Sequence, residues 1–237
     1  RGAKGGGGLM IDPVFLGVGG AFRPDLFNTS ACFQKDGTLY LLDCGGTVMG
    51  RLLKSGALES AERLTVLLTH LHADHAGGLG TLLAYCRHVR RMPVTVVHPE
   101  ETVCGMLALC GIPRERYAFS GGEEYDDGVI RVRFIPVRHT TALHAFGMTL
   151  SDAEEMVYYS GDAADVPENV WMRFLSGRVA RVYQDAALRS DPSAHGVYEA
   201  FYMRCPPEKR AAFFPIHWDE NLQERILRDG FGLVRQI

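Results

Sequence analysis

Four side chains that can bind metal ions occur within six residues, in the stretch from Thr69 to Gly78. They are His70, His72, Asp74 and His75. Imidazole and carboxylate ligands without a thiolate are typical of zinc sites, with iron and manganese as competitors. The alternative is a chance cluster of histidines on a solvated loop, and the spacing of four ligands directly after an apolar run argues against it. The stretch therefore predicts metal-dependent chemistry.

The elements around this stretch must bring its ligands together. The apolar run 64–68 precedes it and predicts a buried strand. Because alternate side chains of an extended chain point the same way, His70 and His72 project into one cleft. A glycine pair and a second apolar run follow, which predicts a loop opening into a helix, so Asp74 and His75 turn a corner toward a neighbouring point. This geometry favours two metal ions over one.

These residues resemble the His-x-His-x-Asp-His motif of the metallo-β-lactamase fold superfamily. Three later segments match further motifs of that superfamily: the end of the strand before Thr140, a Gly-Asp pair after Tyr158-Tyr159-Ser160, and the end of the last buried strand. The resemblance implies two metal sites bridged by Asp162, with His70, His72 and His139 in one and Asp74, His75 and His217 in the other.

The resemblance extends over nearly all of residues 14–237. Residues 15–20 and Asn28-Thr29-Ser30 resemble the opening of the ribonuclease Z-like, phosphodiesterase branch of the superfamily. Periodicity by itself predicts alternating strands and helices, with a hairpin that turns at Asp36-Gly37. The resemblance implies an α+β fold: a four-layer αββα sandwich of the metallo-β-lactamase type in one hydrolase domain, 14–237, after a flexible N-terminal lead, 1–13.

Several polar residues are expected to support the metals or to take part in catalysis. Asp43 ends a strand and is either a helix cap or, as the resemblance implies, a group that orients the ligand histidines from behind. Gln184-Asp185 stands where the branch has His-Glu, which changes the usual proton donor, and Asp185 is also expected behind the ligands. His195 is the candidate general acid or phosphate contact, with a structural histidine as the alternative. Asp74 can orient the attacking water and accept its proton.

Three further histidines lie outside these motifs. His98, between a strand and a helix, is interpreted as structural. His144, in the loop 140–145, is interpreted as solvent-facing, with a contact to a base or phosphate as the alternative. His88 lies in a basic cluster, interpreted as an exposed helix face, with an anion-binding surface as the alternative. The arginines of this cluster are Arg87, Arg90 and Arg91.

The composition narrows the class of protein. The chain has 237 residues, of which 46% are hydrophobic, which is enough for one globular unit. Its net charge of −3 provides no overall basic field, which argues against long nucleic acid as a partner. No run approaches the roughly 18 apolar residues that span a bilayer. Scattered cysteines without a Cys-x-x-Cys pair predict reduced, mostly buried thiols and hence a cytoplasmic protein. A homodimer is compatible with the sequence.

Two metal ions that share a water favour hydrolysis. The resemblance implies a phosphodiesterase with two zinc ions, or manganese or iron in their place. Residues 110–128 carry no long Gly- and Pro-rich insert, so the arm with which ribonuclease Z grips transfer RNA is absent from the pattern. A small anionic phosphodiester such as a cyclic nucleotide is therefore the predicted substrate. A lactone or thioester hydrolase of the same fold is the alternative, followed by a non-catalytic binding module.

Overall fold

Two mixed β-sheets of six strands each form the centre of the structure, a computed structural model that describes residues 11–237. In the first sheet the strands lie side by side in chain order: β1 (Val14–Gly17), β2 (Ser30–Lys35), β3 (Thr38–Leu42), β4 (Arg63–Leu67), β5 (Val94–Val97) and β6 (Ala118–Ser120). In the second sheet they also follow chain order: β7 (Glu124–Asp126), β8 (Arg131–Val137), β9 (Ala145–Ser151), β10 (Met156–Tyr159), β11 (Arg181–Asp185) and β12 (Phe213–Ile216).

Seven α-helices occur in the described residues. They are α1 (Val48–Ser55), α2 (Ala73–Ala76), α3 (Leu79–Tyr85), α4 (Thr102–Leu109), α5 (Glu168–Leu175), α6 (Tyr198–Arg204) and α7 (Gln223–Arg228). A π-helical turn, Cys86–Arg90, extends α3, and 3₁₀ turns lie at Arg114–Arg116 and Pro207–Ala212.

The two sheets pack face to face with helices outside. Every residue of β3 is buried, because Tyr40 and its neighbours at alternate positions pack between the sheets while Leu39 and Leu41 pack under α1, α3 and α4. The ring of Phe15, in the first sheet, contacts Tyr159 and Tyr183 in the second, with centroids 6.5 and 5.5 Å apart. Apolar residues of α5, α6 and α7 join this core from the far side of the second sheet. The predicted αββα sandwich is confirmed.

Most of the predicted elements are present, with shifted ends. The hairpin between β2 and β3 turns where predicted, since Asp36 and Gly37 have φ angles of 45° and 74°, as a type I′ turn requires. The helix predicted after the glycine pair is divided into α3 and the π-helical turn. Helix α5 was not predicted. The assignment of one domain to 14–237 stays a prediction, and residues 1–10 of the predicted lead lie outside the described residues.

Strand direction brings the ends of several strands to one edge of the sandwich. In the first sheet β3, β4 and β5 are mutually parallel, and in the second sheet β10, β11 and β12 are parallel. The loops after parallel strands meet at the same edge, where ligands commonly bind. Asp43, His70, Asp162 and His217 all follow such strand ends.

No helix of residues 11–237 is long and apolar enough to cross a lipid bilayer. The six cysteines are free thiols in the structure. Four are buried, Cys104 is partly buried and Cys110 is exposed.

Candidate metal centre

Two groups of metal-binding side chains meet at the edge of the sandwich and share one carboxylate. Within each group the potential ligand atoms all lie within 4.8 Å of one another. The first group is His70, His72, His139 and Asp162, and the second is Asp74, His75, His217 and Asp162. The structure thus brings together the residues of each predicted site, although they come from both halves of the chain.

In the first group three imidazole nitrogens converge. The Nε2 atoms of His70 and His139 each lie 3.1 Å from Nδ1 of His72. The outer nitrogens of two of these rings are engaged elsewhere, since His139 Nδ1 donates to the Ala194 carbonyl at 2.9 Å and His70 Nδ1 contacts Thr69 Oγ1 at 3.0 Å. These outer bonds fix which nitrogen faces inward.

The two oxygens of the Asp162 carboxylate face different groups. Oδ2 lies 3.8 and 3.7 Å from Nε2 of His70 and His139. Oδ1 lies 2.9 and 3.1 Å from Nε2 of His75 and His217. A carboxylate placed in this way is suited to bridge two cations.

Unpaired atoms at the centre test whether metal ions fit these residues. His75 Nε2 and Asp162 Oδ1 are buried and lie 2.9 Å apart, but this contact lacks hydrogen-bond geometry and neither atom has another hydrogen-bond partner within the described part of the chain. Such orphaned polar atoms are costly unless something else satisfies them. Imidazole nitrogens and carboxylate oxygens at these separations are a suitable donor set for divalent transition metals. The residues present therefore fit a pair of divalent cations.

Asp43 holds this arrangement from behind. Its buried carboxylate accepts hydrogen bonds from His75 Nδ1 at 2.9 Å, from the backbone and hydroxyl of Thr69, and from the hydroxyl of Tyr159 at 3.2 Å. Because Thr69 in turn contacts His70, one carboxylate orients a ligand in each group. Asp43 is not the helix cap, because Thr47 occupies the N-cap position of α1, and its contacts agree with the supporting role. The sequence did not single out Thr69 and Tyr159.

Burial and charge together set the protonation of the ligand imidazoles. Burial lowers the pKa of His70 well below its ordinary value, and the neighbouring His75 lowers it further. Burial also acts to lower the pKa of His217, but Asp162 and Asp185 outweigh it and raise this pKa to about 10. The pKa of His75 is raised in spite of burial, chiefly by Asp162. His70 therefore presents a neutral nitrogen, whereas His75 and His217 must release a proton when a metal binds.

Both carboxylates at the centre are ionised. Burial by itself raises the pKa of Asp162, but the charges on His217 and His75 lower it well below the ordinary value. Burial likewise acts to raise the pKa of Asp74, but the nearby imidazoles of His217 and His75, at 3.5 and 3.4 Å, outweigh it, so this pKa is also lowered. The centre thus offers anionic oxygen ligands at neutral pH.

Asp185 and His195 form a pair beside the second group. His195 Nδ1 donates to Asp185 Oδ2 at 2.8 Å, and the imidazole stacks on His217 with centroids 5.1 Å apart. Burial lowers the pKa of His195, but the hydrogen bond to Asp185 outweighs it and raises this pKa above its ordinary value. With Nδ1 committed to Asp185, Nε2 is the ring nitrogen left for a substrate. Asp185 replaces the glutamate of the His-Glu pair expected from the resemblance. It still provides a carboxylate that accepts a hydrogen bond from an imidazole, that of His195.

A cavity of 690 Å³ opens onto both groups and onto His195. Asp74 lies in its wall, and the loop 20–23 forms part of its rim. Arg23 anchors that loop, since its guanidinium donates to Asp25 at 2.9 and 2.6 Å and to the Asp219 carbonyl at 2.6 Å. The adjacent Phe22 is 94% exposed. Phe22 was not among the residues selected from the sequence.

Known proteins resemble this chain in sequence and in structure. The model of the anti-Pycsar protein Apyc1 family matches residues 11–107. The anti-Pycsar protein Apyc1 of Saccharibacillus brassicae is 26% identical over 230 residues, which cover 91% of this chain and 93% of that protein. A diphosphatase from the PhnP family superposes with a TM-score of 0.72 and 18% identity over 94% of both chains. The short form of human tRNase Z superposes with a TM-score of 0.70 and 18% identity over 95% of this chain and 97% of that one.

A further solved structure is described as a metallo-β-lactamase fold protein, YhfI from Bacillus subtilis. It superposes with a TM-score of 0.69 and 14% identity over 95% of this chain and 97% of that one. This chain has the metallo-β-lactamase fold. The resemblance inferred from the ligand motifs is thereby confirmed.

The histidines outside the motifs do not join the centre of this metallo-β-lactamase fold. His98 is buried, and its Nδ1 accepts the backbone N–H of Glu100 at 3.1 Å, which agrees with a structural role. His144 is largely exposed, contacts the Glu100 carboxylate and lines a separate, smaller cavity. The solvent-facing interpretation of His144 therefore describes its position.

The loop that carries Asp74 packs closely, backbone against backbone, on the loop between β3 and α1. This contact predicts that Gly45→Ala destabilises the protein. A Cβ at Gly45 would overlap the carbonyl of Asp74, whereas a Cβ at Gly46 would have nothing nearer than Asn28 Oδ1 at 4.0 Å. Because the loop carrying Asp74 must move, Gly45→Ala is expected to lower the free energy of unfolding by about 1–3 kcal/mol and to weaken metal binding. Denaturant titration and metal analysis measure both.

Gly46→Ala is the matched control and is expected to stay within about 0.5 kcal/mol of the parent. Equal stability and equal metal content in the two variants would contradict the importance of this contact.

Proposed function

We propose that this chain is a hydrolase that uses two metal ions to cleave a small phosphodiester, such as a cyclic nucleotide. The observation that carries the proposal is the Asp162 carboxylate, whose oxygens face two separate groups of imidazoles at the wall of one cavity. The donor set favours zinc, with manganese or iron as competitors. When bound, two such ions supply Lewis acidity and a nucleophilic water at neutral pH.

The side chains of the cavity supply the remaining chemistry. Asp74 is ionised and lies in the cavity wall, where it orients the attacking water and accepts its proton. His195 donates a proton from Nε2 to the departing oxygen, while Asp185 holds the ring through Nδ1. Asp185 thus acts as a positioning residue and His195 as the general acid.

Three features favour a phosphodiester of small size. The names of two similar proteins, a diphosphatase and a tRNase, denote enzymes that cleave bonds to phosphorus. A cavity of 690 Å³ is in the range of sites for small molecules. Between residues 111 and 128 the structure describes only a 3₁₀ turn and two three-residue strands, with no protruding arm for a transfer RNA.

A panel of substrates tests the proposal. The metal-loaded protein is expected to hydrolyse bis(nitrophenyl) phosphate and at least one cyclic nucleotide, with little processing of precursor transfer RNA. The panel also contains an acyl-homoserine lactone and a glutathione thioester, because these represent the alternative hydrolases of the same fold. If an acyl substrate is hydrolysed efficiently and no phosphodiester is hydrolysed, the phosphodiesterase proposal is wrong and the lactone or thioester hydrolase replaces it. Failure of every substrate at full metal occupancy would favour a binding module.

Phe22 is expected to bind the base of a nucleotide substrate. Its ring is exposed on an anchored loop at the cavity rim, and stacking of a base on an aromatic side chain contributes about 1–3 kcal/mol. Phe22→Ala should therefore raise the KM for a cyclic nucleotide about 5- to 100-fold with a smaller change in kcat. Steady-state kinetics measure both constants.

Phe22→Trp should retain a low KM, because it keeps an aromatic face. Leu109→Ala is a suitable control, since Leu109 is equally exposed, at 92%, but lies at the end of α4 outside the cavity. An unchanged KM in Phe22→Ala would exclude stacking at this position.

A further inference from the structure

A second cavity, of 880 Å³, lies at the edge of the first sheet opposite the metal centre, and several cationic side chains line it. We name it the basic cavity. It opens between the π-helical turn Cys86–Arg90 and the 3₁₀ turn Arg114–Arg116. Its charged and titratable lining residues are Arg87, His88, Arg91, Glu115, Arg116 and Tyr117, above an apolar floor formed in part by Leu83 and Met92.

The basic cavity is separate from the metal centre. Its residues 92–95 and 115–118 lie at the starts of β5 and β6. The metal ligand His70 follows the end of β4, which runs parallel to β5. The two sites are therefore at opposite edges of the sheet, and a ligand in the basic cavity does not fill the catalytic cavity.

The protein offsets the positive charge of the basic cavity only in part, because Glu115 is the one carboxylate among the residues that line it against three arginines. Arg87, Arg91 and Arg116 are exposed, and within residues 11–237 their guanidinium groups form no ion pair or hydrogen bond. The two neighbouring arginines differ. Arg90 donates to the carbonyls of residues 58 and 59, and Arg114 donates to the carbonyl of residue 117. Three arginines of five are thus left for a ligand, in a chain whose net charge is −3.

The backbone that presents these arginines is unusual. The chain leaves α3 through a π-helical turn, a conformation found often at functional sites. Arg91 ends this turn with φ at 54°, a left-handed conformation that a long side chain rarely adopts. Like charges around one concavity repel each other, and a bound anion relieves this repulsion. The sequence allowed either a solvated helix face or an anion-binding surface, and these features favour the second.

We infer that the basic cavity binds a small molecule with two or more phosphate groups. Guanidinium groups match phosphate oxygens in bidentate pairs, so several arginines around one cavity suit several phosphates. The apolar floor suits an organic body such as a nucleoside. The volume of 880 Å³ is that of a small-molecule site.

Calorimetric titration of the metal-loaded protein tests this inference. The probes are inorganic tripolyphosphate and ATP, and metal content is measured before and after each titration because both probes can chelate metal. The test variant is Arg87→Gln/Arg91→Gln/Arg116→Gln. The control, Arg131→Gln/Arg133→Gln/Arg228→Gln, removes the same charge from exposed arginines elsewhere. The metal centre is the same in all three proteins, so a difference between them locates binding in the basic cavity.

Both probes are expected to bind the parent and the control alike, and to bind the test variant at least about tenfold more weakly. Tighter binding of ATP than of tripolyphosphate would assign the apolar floor to the organic body, and equal binding would assign the site to phosphate groups alone. If the triple variant does not fold, the single variants Arg87→Gln and Arg116→Gln take its place. Each is expected to bind both probes more weakly than the parent does. Equal affinity of the test variant and the parent, or no binding by the parent, would overturn the inference. Tight binding of a long oligonucleotide in place of both probes would overturn it as well.

Discussion

Asp162→Ala is expected to lower turnover of bis(nitrophenyl) phosphate by about 10³-fold or more. The carboxylate faces both ligand groups, so its loss removes a donor from each of them. Charge stabilisation by a metal ion contributes several kcal/mol to a transition state, and each 1.4 kcal/mol corresponds to about tenfold in rate. The purified parent should contain about two metal ions per chain, and the variant should contain fewer. Kinetics and elemental analysis of the same samples measure both effects.

Asp165→Ala is the matched control for this experiment. Asp165 lies three residues along the chain, but its carboxylate is exposed and pairs with Arg204 at 2.9 Å. The control should retain full turnover and metal content, and circular dichroism should show that both variants are folded. Parent-like activity and metal content in Asp162→Ala would contradict the bridging assignment. A parent without metal after reconstitution with zinc and manganese would remove the basis of the proposed mechanism.

The second large effect is expected from His195→Ala, and it depends on the leaving group. General acid catalysis contributes about 10²- to 10⁴-fold when the leaving oxygen needs a proton. Hydrolysis of a cyclic nucleotide, whose leaving group is an alkoxide, should therefore fall by that factor. Bis(nitrophenyl) phosphate should be affected much less, since nitrophenolate leaves without a proton. The ratio of the two rates is the measurement that separates this role from a structural one.

Asp185→Asn should produce the same dependence on the leaving group, because it removes the carboxylate that holds His195 Nδ1. His144→Ala is the control, since that histidine lies outside the catalytic cavity. Equal losses of both substrates in His195→Ala would indicate a binding or structural histidine and would contradict its assignment as the acid.

The candidate metal ligands could be selected from the sequence because each follows a strand end in a recognisable local pattern. Four of them lie within six residues, and the others are named by short motifs such as Gly161-Asp162. Their grouping into two sites depends on the order of parallel strands in two sheets. The periodicity of the sequence does not give this order, and the family resemblance does.

The contacts that depend on loops or on packing between the sheets could not be predicted. The pairing of Asp185 with His195 spans ten residues and requires the intervening loop to fold back. The bond from Tyr159 to Asp43 joins the two sheets, and its partners are 116 residues apart. The exposure of Phe22 depends on how Arg23 anchors its loop.

Helix α5 was missed although its sequence carried a signal. Pro167 and Glu168 are typical of a helix start, and a glycine follows the last turn.

The shared metal centre also has a consequence for the order in which the protein is made. Asp74 and His217 belong to one ligand group but are 143 residues apart, and they come from different sheets. A nascent chain that has emerged only as far as the first sheet therefore holds an incomplete set of ligands for both metals. Contacts of such long sequence separation form late in folding. Under the proposed function, growing and half-folded chains therefore lack hydrolytic activity, and an active catalyst forms only after both halves have closed on each other.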